Sequence, residues 1–205
     1  MPTLTALPLL LLACTGDGPD FGEGGVGLPD TGWWRGSTDT AQAPIDDDDL
    51  LDCMQRAGIV LFGGLEPPDI TGGYSVSGEL VASDTDAPEG SPTSGYLCFS
   101  AQGTDRSISV RESAWGASTE SAWAEVHGYA DNFFVWMELE STDPHDPDCR
   151  ITSHAVMAGD DLGDDLVFRT ATVPVAFDDC EAYDPDTLGS CWATVARATR
   201  TGECG

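Results

Sequence analysis

Apolar and polar positions alternate with period two in stretch after stretch of the carboxy-terminal three quarters of this chain. In Tyr74-Ser75-Val76-Ser77-Gly78-Glu79-Leu80 the apolar Tyr74, Val76 and Leu80 share one face, while Ser75, Ser77 and Glu79 share the other. Successive side chains of a strand point to opposite faces, so this pattern predicts a half-buried β-strand. Similar stretches run from Gly95 to Ala101, Ser107 to Glu112, Ala122 to Ala130, Phe133 to Glu140, Cys149 to Met157, Leu166 to Val175 and Cys191 to Thr199, which makes eight. Clusters rich in Gly, Pro, Asp and Ser separate them, and these are the residues that build turns. Asp131-Asn132, between two aromatic-rich strands, reads as the best hairpin turn, because both residues tolerate positive φ. No stretch carries a long helical period; Asp52 to Phe62 is too short to assign to helix or strand.

Eight strands joined by hairpins predict an all-β domain built as an antiparallel meander of about eight strands. A lipocalin-like barrel is the favoured closure in outline, with a two-sheet β-sandwich as the alternative. The domain spans residues 50–205. Before it, Thr15 to Asp49 holds eight Gly, three Pro, eight Asp, one Glu and one Arg. Such a segment cannot bury enough apolar area to offset its ordering entropy, so residues 14–49 are expected to form a flexible acidic tether. Within it, Trp33-Trp34 is the one aromatic pair, and Asp46-Asp47-Asp48-Asp49 reads as solvated punctuation ahead of the domain.

The first thirteen residues are different again. Leu7 to Leu12 is apolar apart from Pro8, too short to cross a bilayer as a helix, and it ends in Leu11-Leu12-Ala13-Cys14. These four residues resemble the bacterial lipobox. The resemblance implies cleavage after Ala13, diacylglycerol on Cys14 and anchoring to a membrane through that lipid. By the enterobacterial sorting rule, Thr15 after the lipidated Cys implies the outer membrane. An ordinary cleaved signal, and hence a secreted or periplasmic protein, is the alternative.

Charge and cysteines sharpen this picture. The net charge is −28, from 36 acidic residues against 8 basic ones, all Arg. That field repels nucleic acid and favours a soluble, monomeric exported protein. Seven cysteines become six once Cys14 is lipidated, and six suit a disulfide framework outside the cytoplasm. Spacing suggests Cys180 with Cys191, Cys98 with Cys149 and Cys53 with Cys204.

Candidate chemistry is sparse. Trp123, Glu125, His127 and Tyr129 share one strand face, and would grip a polar ligand if that face lined a barrel. His145, in Asp143-Pro144-His145-Asp146-Pro147-Asp148, offers donors for a divalent ion, but the two prolines stiffen the loop. Gly159 to Asp165 is acidic, yet its Asp residues come in adjacent pairs rather than at the alternating positions of a calcium loop. No metal site or cofactor is therefore expected; were calcium to bind, Asp146, Asp148, Asp160 and Asp164 would be its first ligands. There is no nucleophile elbow, zinc-protease pair or phosphate loop. The leading expectation is a non-enzymatic surface module that binds a small molecule, an envelope component or a partner protein. A catalytic, hydrolase-like lipoprotein and a structural envelope protein without ligand are the alternatives.

Overall fold

The computed structural model describes residues 47–61, 64–114, 117–143, 146–181 and 183–204. The lipobox, Trp33-Trp34 and His145 lie outside them. Eight strands form one closed antiparallel ring: β2 (Gly72–Ser83), β3 (Pro92–Ser100), β4 (Ser109–Ala114), β5 (Ala117–Tyr129), β6 (Asn132–Asp143), β7 (Asp146–Asp161), β8 (Asp165–Asp178) and β9 (Trp192–Gly202). Each pairs with the next in sequence, and β9 returns to pair with β2 from Gly73↔Gly202 to Ser83↔Trp192. The fold is thus an up-and-down meander closed as a barrel, and each of the eight strands overlaps one of the stretches expected from the sequence. A two-residue strand β1 (Leu65–Glu66) lies parallel to β5 outside the ring.

Two apolar clusters divide the strands' faces. Inside the barrel, Tyr74, Val76, Leu97, Phe99, Val110, Val126, Phe133, Val135, Met157 and Phe168 pack together. On the outside, Ala82, Phe134, Trp136, Val156, Ala158, Ala171, Val173 and Ala193 pack under a helix. Burial of both faces explains why Phe133 to Met137 is an unbroken apolar run rather than an alternating one. The covering helix is α1 (Asp48–Arg56). Its Leu50, Cys53 and Met54 lie three and four residues apart, so one turn-to-turn stripe faces the barrel. Asp47 caps it, its side chain accepting a hydrogen bond from the Leu50 N–H at 3.1 Å. Asp48 and Asp49 occupy the first turn and Arg56 the last, which suits the helix dipole. Asp47 also lies 2.6 Å from Nδ1 of His154 on the outer face of β7. The last three residues of the acidic run are therefore a cap and first turn, where a solvated tether was expected.

Two further expectations change. The β5–β6 turn centres on Ala130-Asp131, one residue early, with Ala130 at φ 56° and Tyr129 paired with Asn132. All six described cysteines are bridged, but none in the expected pairing: the bonds are Cys53–Cys191, Cys98–Cys204 and Cys149–Cys180. The register supplies the reason. Arg150 pairs with Asp178 across the β7–β8 hairpin, which brings Cys149 beside Cys180. Gly73 pairs with both Cys98 and Gly202, so Cys204 arrives over β3 as β9 runs past the edge of β2. Cys53 meets Cys191 because α1 lies across the start of β9.

A clear test concerns the bridge from helix to barrel. Replacing both Cys53 and Cys191 with Ala should cost ~3–5 kcal/mol, the range for closing long loops. Hydrogen exchange should show the α1 amides losing protection ahead of the ring strands; an α1 that stays as protected as β6 and β7 would contradict this docking.

Candidate functional site

The expected ligand face of β5 points outward. Val126 and Ala124 take the inward positions, so Trp123, Glu125, His127 and Tyr129 lie on the outside of the ring. Tyr129 is 65 % exposed and Trp123 packs against the cluster under α1. Glu125 and His127 are buried, however, and meet a basic group that the sequence pattern did not suggest. Arg106, held at φ 71° in the β3–β4 connection, sets Nη2 at 2.9 Å from Glu125 and Nη1 at 3.3 Å from Nδ1 of His127. Nε2 of His127 lies 3.3 Å from the same Glu125 carboxylate, and its ring stacks on Phe134 at 4.8 Å. Desolvation and the Arg106 charge push the His127 pKa down to about 4, so the ring is neutral. Desolvation raises that of Glu125, with Arg106 opposing. Both imidazole nitrogens thus face charged groups, as do those of His154, set between Asp47 and Glu138. These arrangements lock side chains in place; neither presents the base-to-nucleophile geometry that covalent catalysis needs.

Inside the barrel lies a second polar group that the sequence analysis passed over. Val110 points into the core, so Glu112, two residues on, does too; its register partner Leu97 is a core residue. Glu112 is 6 % exposed, and its Oε1 is buried with no hydrogen-bond partner. Desolvation pushes its pKa up to about 8, so at neutral pH it is mostly an uncharged acid.

The register shows what faces it. From Glu112 one path follows Leu97, Tyr74 and Arg200 to Asp164, the residue before β8, where the Arg200 N–H meets the Asp164 carbonyl at 2.7 Å. The other path follows Thr119, Ser141 and Ile151 to Phe177 on the same strand. Strands tilt in a barrel, so one path climbs as the other descends, and the true height of Glu112 on β8 lies midway. That is the neighbourhood of Thr170 and Thr172, four strands away and hence across the barrel. Both are buried, with Thr194 hydrogen-bonded to Thr170 and Ser153 nearby on β7. Oγ1 of Thr172 is buried and, like Oε1 of Glu112, has no hydrogen-bond partner. A polar layer therefore sits in mid-barrel, next to an aromatic half built from Tyr74, Phe99, Phe133 and Phe168.

Two open clefts flank the barrel's ends. One, of about 930 Å³, surrounds Arg200, and its Arg200, Asp69 and Gln102 side chains bond to the protein itself. Arg200 donates to the Thr71 carbonyl at 2.5 Å and lies over the Tyr74 ring, and Asp69 accepts from the Thr71 hydroxyl at 2.6 Å. The other, of about 850 Å³, gathers Asp146, Asp148, Asp178, Asp179 and Glu181 around Arg150, at the end where β2, β4, β6 and β8 finish. Asp160 and Asp164, at the β7–β8 hairpin, belong to the opposite end. The four Asp residues named in case calcium bound are thus split between the two ends of the molecule. No family model matches the chain, and comparison with curated proteins returns no match.

The buried acid has a direct consequence for stability. In the unfolded chain its carboxyl ionises near 4.5, in the barrel near 8, so between those values the folded state holds the extra proton. Stability should be greatest below pH 4.5 as far as this group is concerned. It should fall by ~1.4 kcal/mol per pH unit across the interval and level off above 8. Chemical denaturation of the native protein and Glu112→Gln from pH 5 to 9 checks this. The difference should widen with pH in favour of Gln, to several kcal/mol in order of magnitude; a difference that does not change with pH would contradict it.

Proposed function

We propose that this protein is a lipid-anchored binding module of the cell envelope, without catalysis of its own, that takes a small polar ligand into the middle of its barrel. The observation that carries the reading is the pair of unpartnered, buried oxygens on opposite walls, Glu112 Oε1 and Thr172 Oγ1. A buried polar atom without a partner costs about 1–3 kcal/mol, and sites for ligands are where such costs are retained. Around them the buried wall is mainly apolar, with the hydroxyls of Thr170, Thr194 and Ser153 beside Thr172, which suits the usual composition of a binding site: mostly hydrophobic wall with a few placed polar groups.

The address rests on the amino terminus. The lipobox at Leu11 to Cys14 supports acylation of Cys14 and attachment to the outer membrane, with a secreted or periplasmic protein as the alternative. More than one acyl chain makes such anchoring stable. The net charge of −28 supports a monomer that avoids nucleic acid and touches the membrane only through its lipid. A purely structural role is the second reading, favoured by the aromatic filling of half the barrel.

Both parts are open to experiment. Cys14→Ser should move the protein out of the membrane fraction and abolish labelling by a fatty-acid analogue, and an unlabelled native protein that stays with the membrane would contradict the anchor. In a thermal-shift screen of small polar compounds, a true ligand at a hundred times its Kd should add ~2.7 kcal/mol, a rise of several degrees. A flat screen, with no change in the Thr172 amide signal, would leave the structural role standing.

A further inference from the structure

We propose that the barrel interior binds a small organic ammonium ion against Glu112, admitted by local opening of β4. This rests on the reading of the barrel as a binding module and names the class of its ligand.

Four observations converge. Among the described residues, Glu112 is the one charged side chain turned inward at its height. Its flanking strands face it with Leu97 and Thr119, β2 with Val76 and Gly78, and β6 with Met137 and Leu139. The far wall faces it with Ala155, Thr170, Thr172, Thr194 and Ala196. Among the described residues, the other titratable groups at inward positions are Tyr74 and Arg200 toward one end, bonded to the Ile70 and Thr71 carbonyls, and Asp143 toward the other, where its carboxylate accepts from the Tyr183 hydroxyl. A lone carboxylate surrounded by hydroxyl and apolar groups suits a single positive charge carried on a small apolar body. A divalent metal would want several more oxygen ligands.

The second observation is that the acceptors are free. Glu112 Oε1 and Thr172 Oγ1 have no hydrogen-bond partner, and an ammonium group brings donors. The third is the field. The acidic cleft of Asp146, Asp148, Asp178, Asp179 and Glu181 stands at the barrel end toward which β4 runs. Together with the overall charge it concentrates cations there and repels anions. The fourth is the route. The interior is closely packed, so a guest needs a wall that moves. With six residues β4 is the shortest strand of the ring, and the connection before it carries both Ala101 and Arg106 at positive φ. Few ladder bonds hold β4, so it is the strand whose local opening costs least. When the guest binds, Glu112 gives its proton to solvent and its carboxylate pairs with the ammonium, whose own N–H bonds stay intact.

The test uses the folded protein with n-propylammonium chloride, its neutral counterpart n-propanol, and sodium chloride at equal ionic strength. Calorimetry and amide NMR read the result. The expected outcome is saturable one-to-one binding of n-propylammonium, with shifts at Val110, Glu112 and Thr172. Sodium should not reproduce it. Affinity should drop at least tenfold in Glu112→Gln and stay within a few-fold in Asp148→Asn. In the unaltered protein it should rise about tenfold per pH unit from 6 toward 8, because binding releases the Glu112 proton, then level off. That pH profile answers the question even if the Gln variant folds poorly. Binding of n-propanol alone would overturn the ligand class and leave the binding module intact. Failure of both compounds would overturn this inference, while the thermal-shift screen decides the wider reading. Equal n-propylammonium affinity in Glu112→Gln would mean diffuse attraction to the surface, and would also overturn it.

Discussion

The pairing of the first ring strand with the last, β2 with β9, is the contact on which the rest of this structure depends. Every other neighbouring pair in the ring is consecutive in the chain, with at most thirteen residues between the two strands. This one joins segments more than a hundred residues apart, so its loop-closure entropy is the largest in the fold. The covalent framework is concentrated on it. Cys98–Cys204 ties the tail of β9 to β3, the other neighbour of β2, and Cys53–Cys191 ties the head of β9 to α1. Asp84, just past β2, donates its N–H to the Cys191 carbonyl and accepts the Cys191 N–H on its side chain, while Arg56 of α1 lies 2.8 Å from the same carboxylate. Helix, two disulfides and an ion pair thus fasten a single seam.

Closing that seam is what creates an inside. In an open sheet Glu112 would keep contact with water and titrate like any surface acid. In the closed ring it is walled in, and its burial is a cost that the proposed ligand would recover. The same closure gives the strands a second apolar face to cover, on the outside, where α1 lies. In the proposed binding module the acidic exterior and the buried acid do separate jobs: the one sets which charges approach, the other sets which are kept.

Much of this was legible in the residues. Seven of the eight strands were marked by period-two alternation and β6 by an apolar run that passes into it, and the hairpin spacing pointed to a meander. Helix α1 was not, because nine residues hold too few turns for a clear period, and its buried stripe is defined by barrel residues far off in sequence. Disulfide connectivity was hidden for a related reason. It follows from ring neighbours and register, which spacing along the chain does not encode. The face carrying Glu125 and His127 was correctly grouped, but in versus out is settled only by closure. Glu112 had left a trace: Ile108, Val110 and Glu112 share one face of the strand, so a carboxylate stood in register with apolar residues. The partner that matters across the barrel, Thr172, is sixty residues away and could not be paired with it by pattern.

The most direct test of closure and site together is the ionisation of Glu112 itself, followed by the chemical shift of its carboxyl carbon as pH is raised. A closed ring with an unpartnered interior carboxyl predicts a midpoint near 8. A midpoint near 4.5, the ordinary carboxyl value, would mean that water or a partner reaches Glu112, and would contradict both the sealed barrel and the role given to its acid.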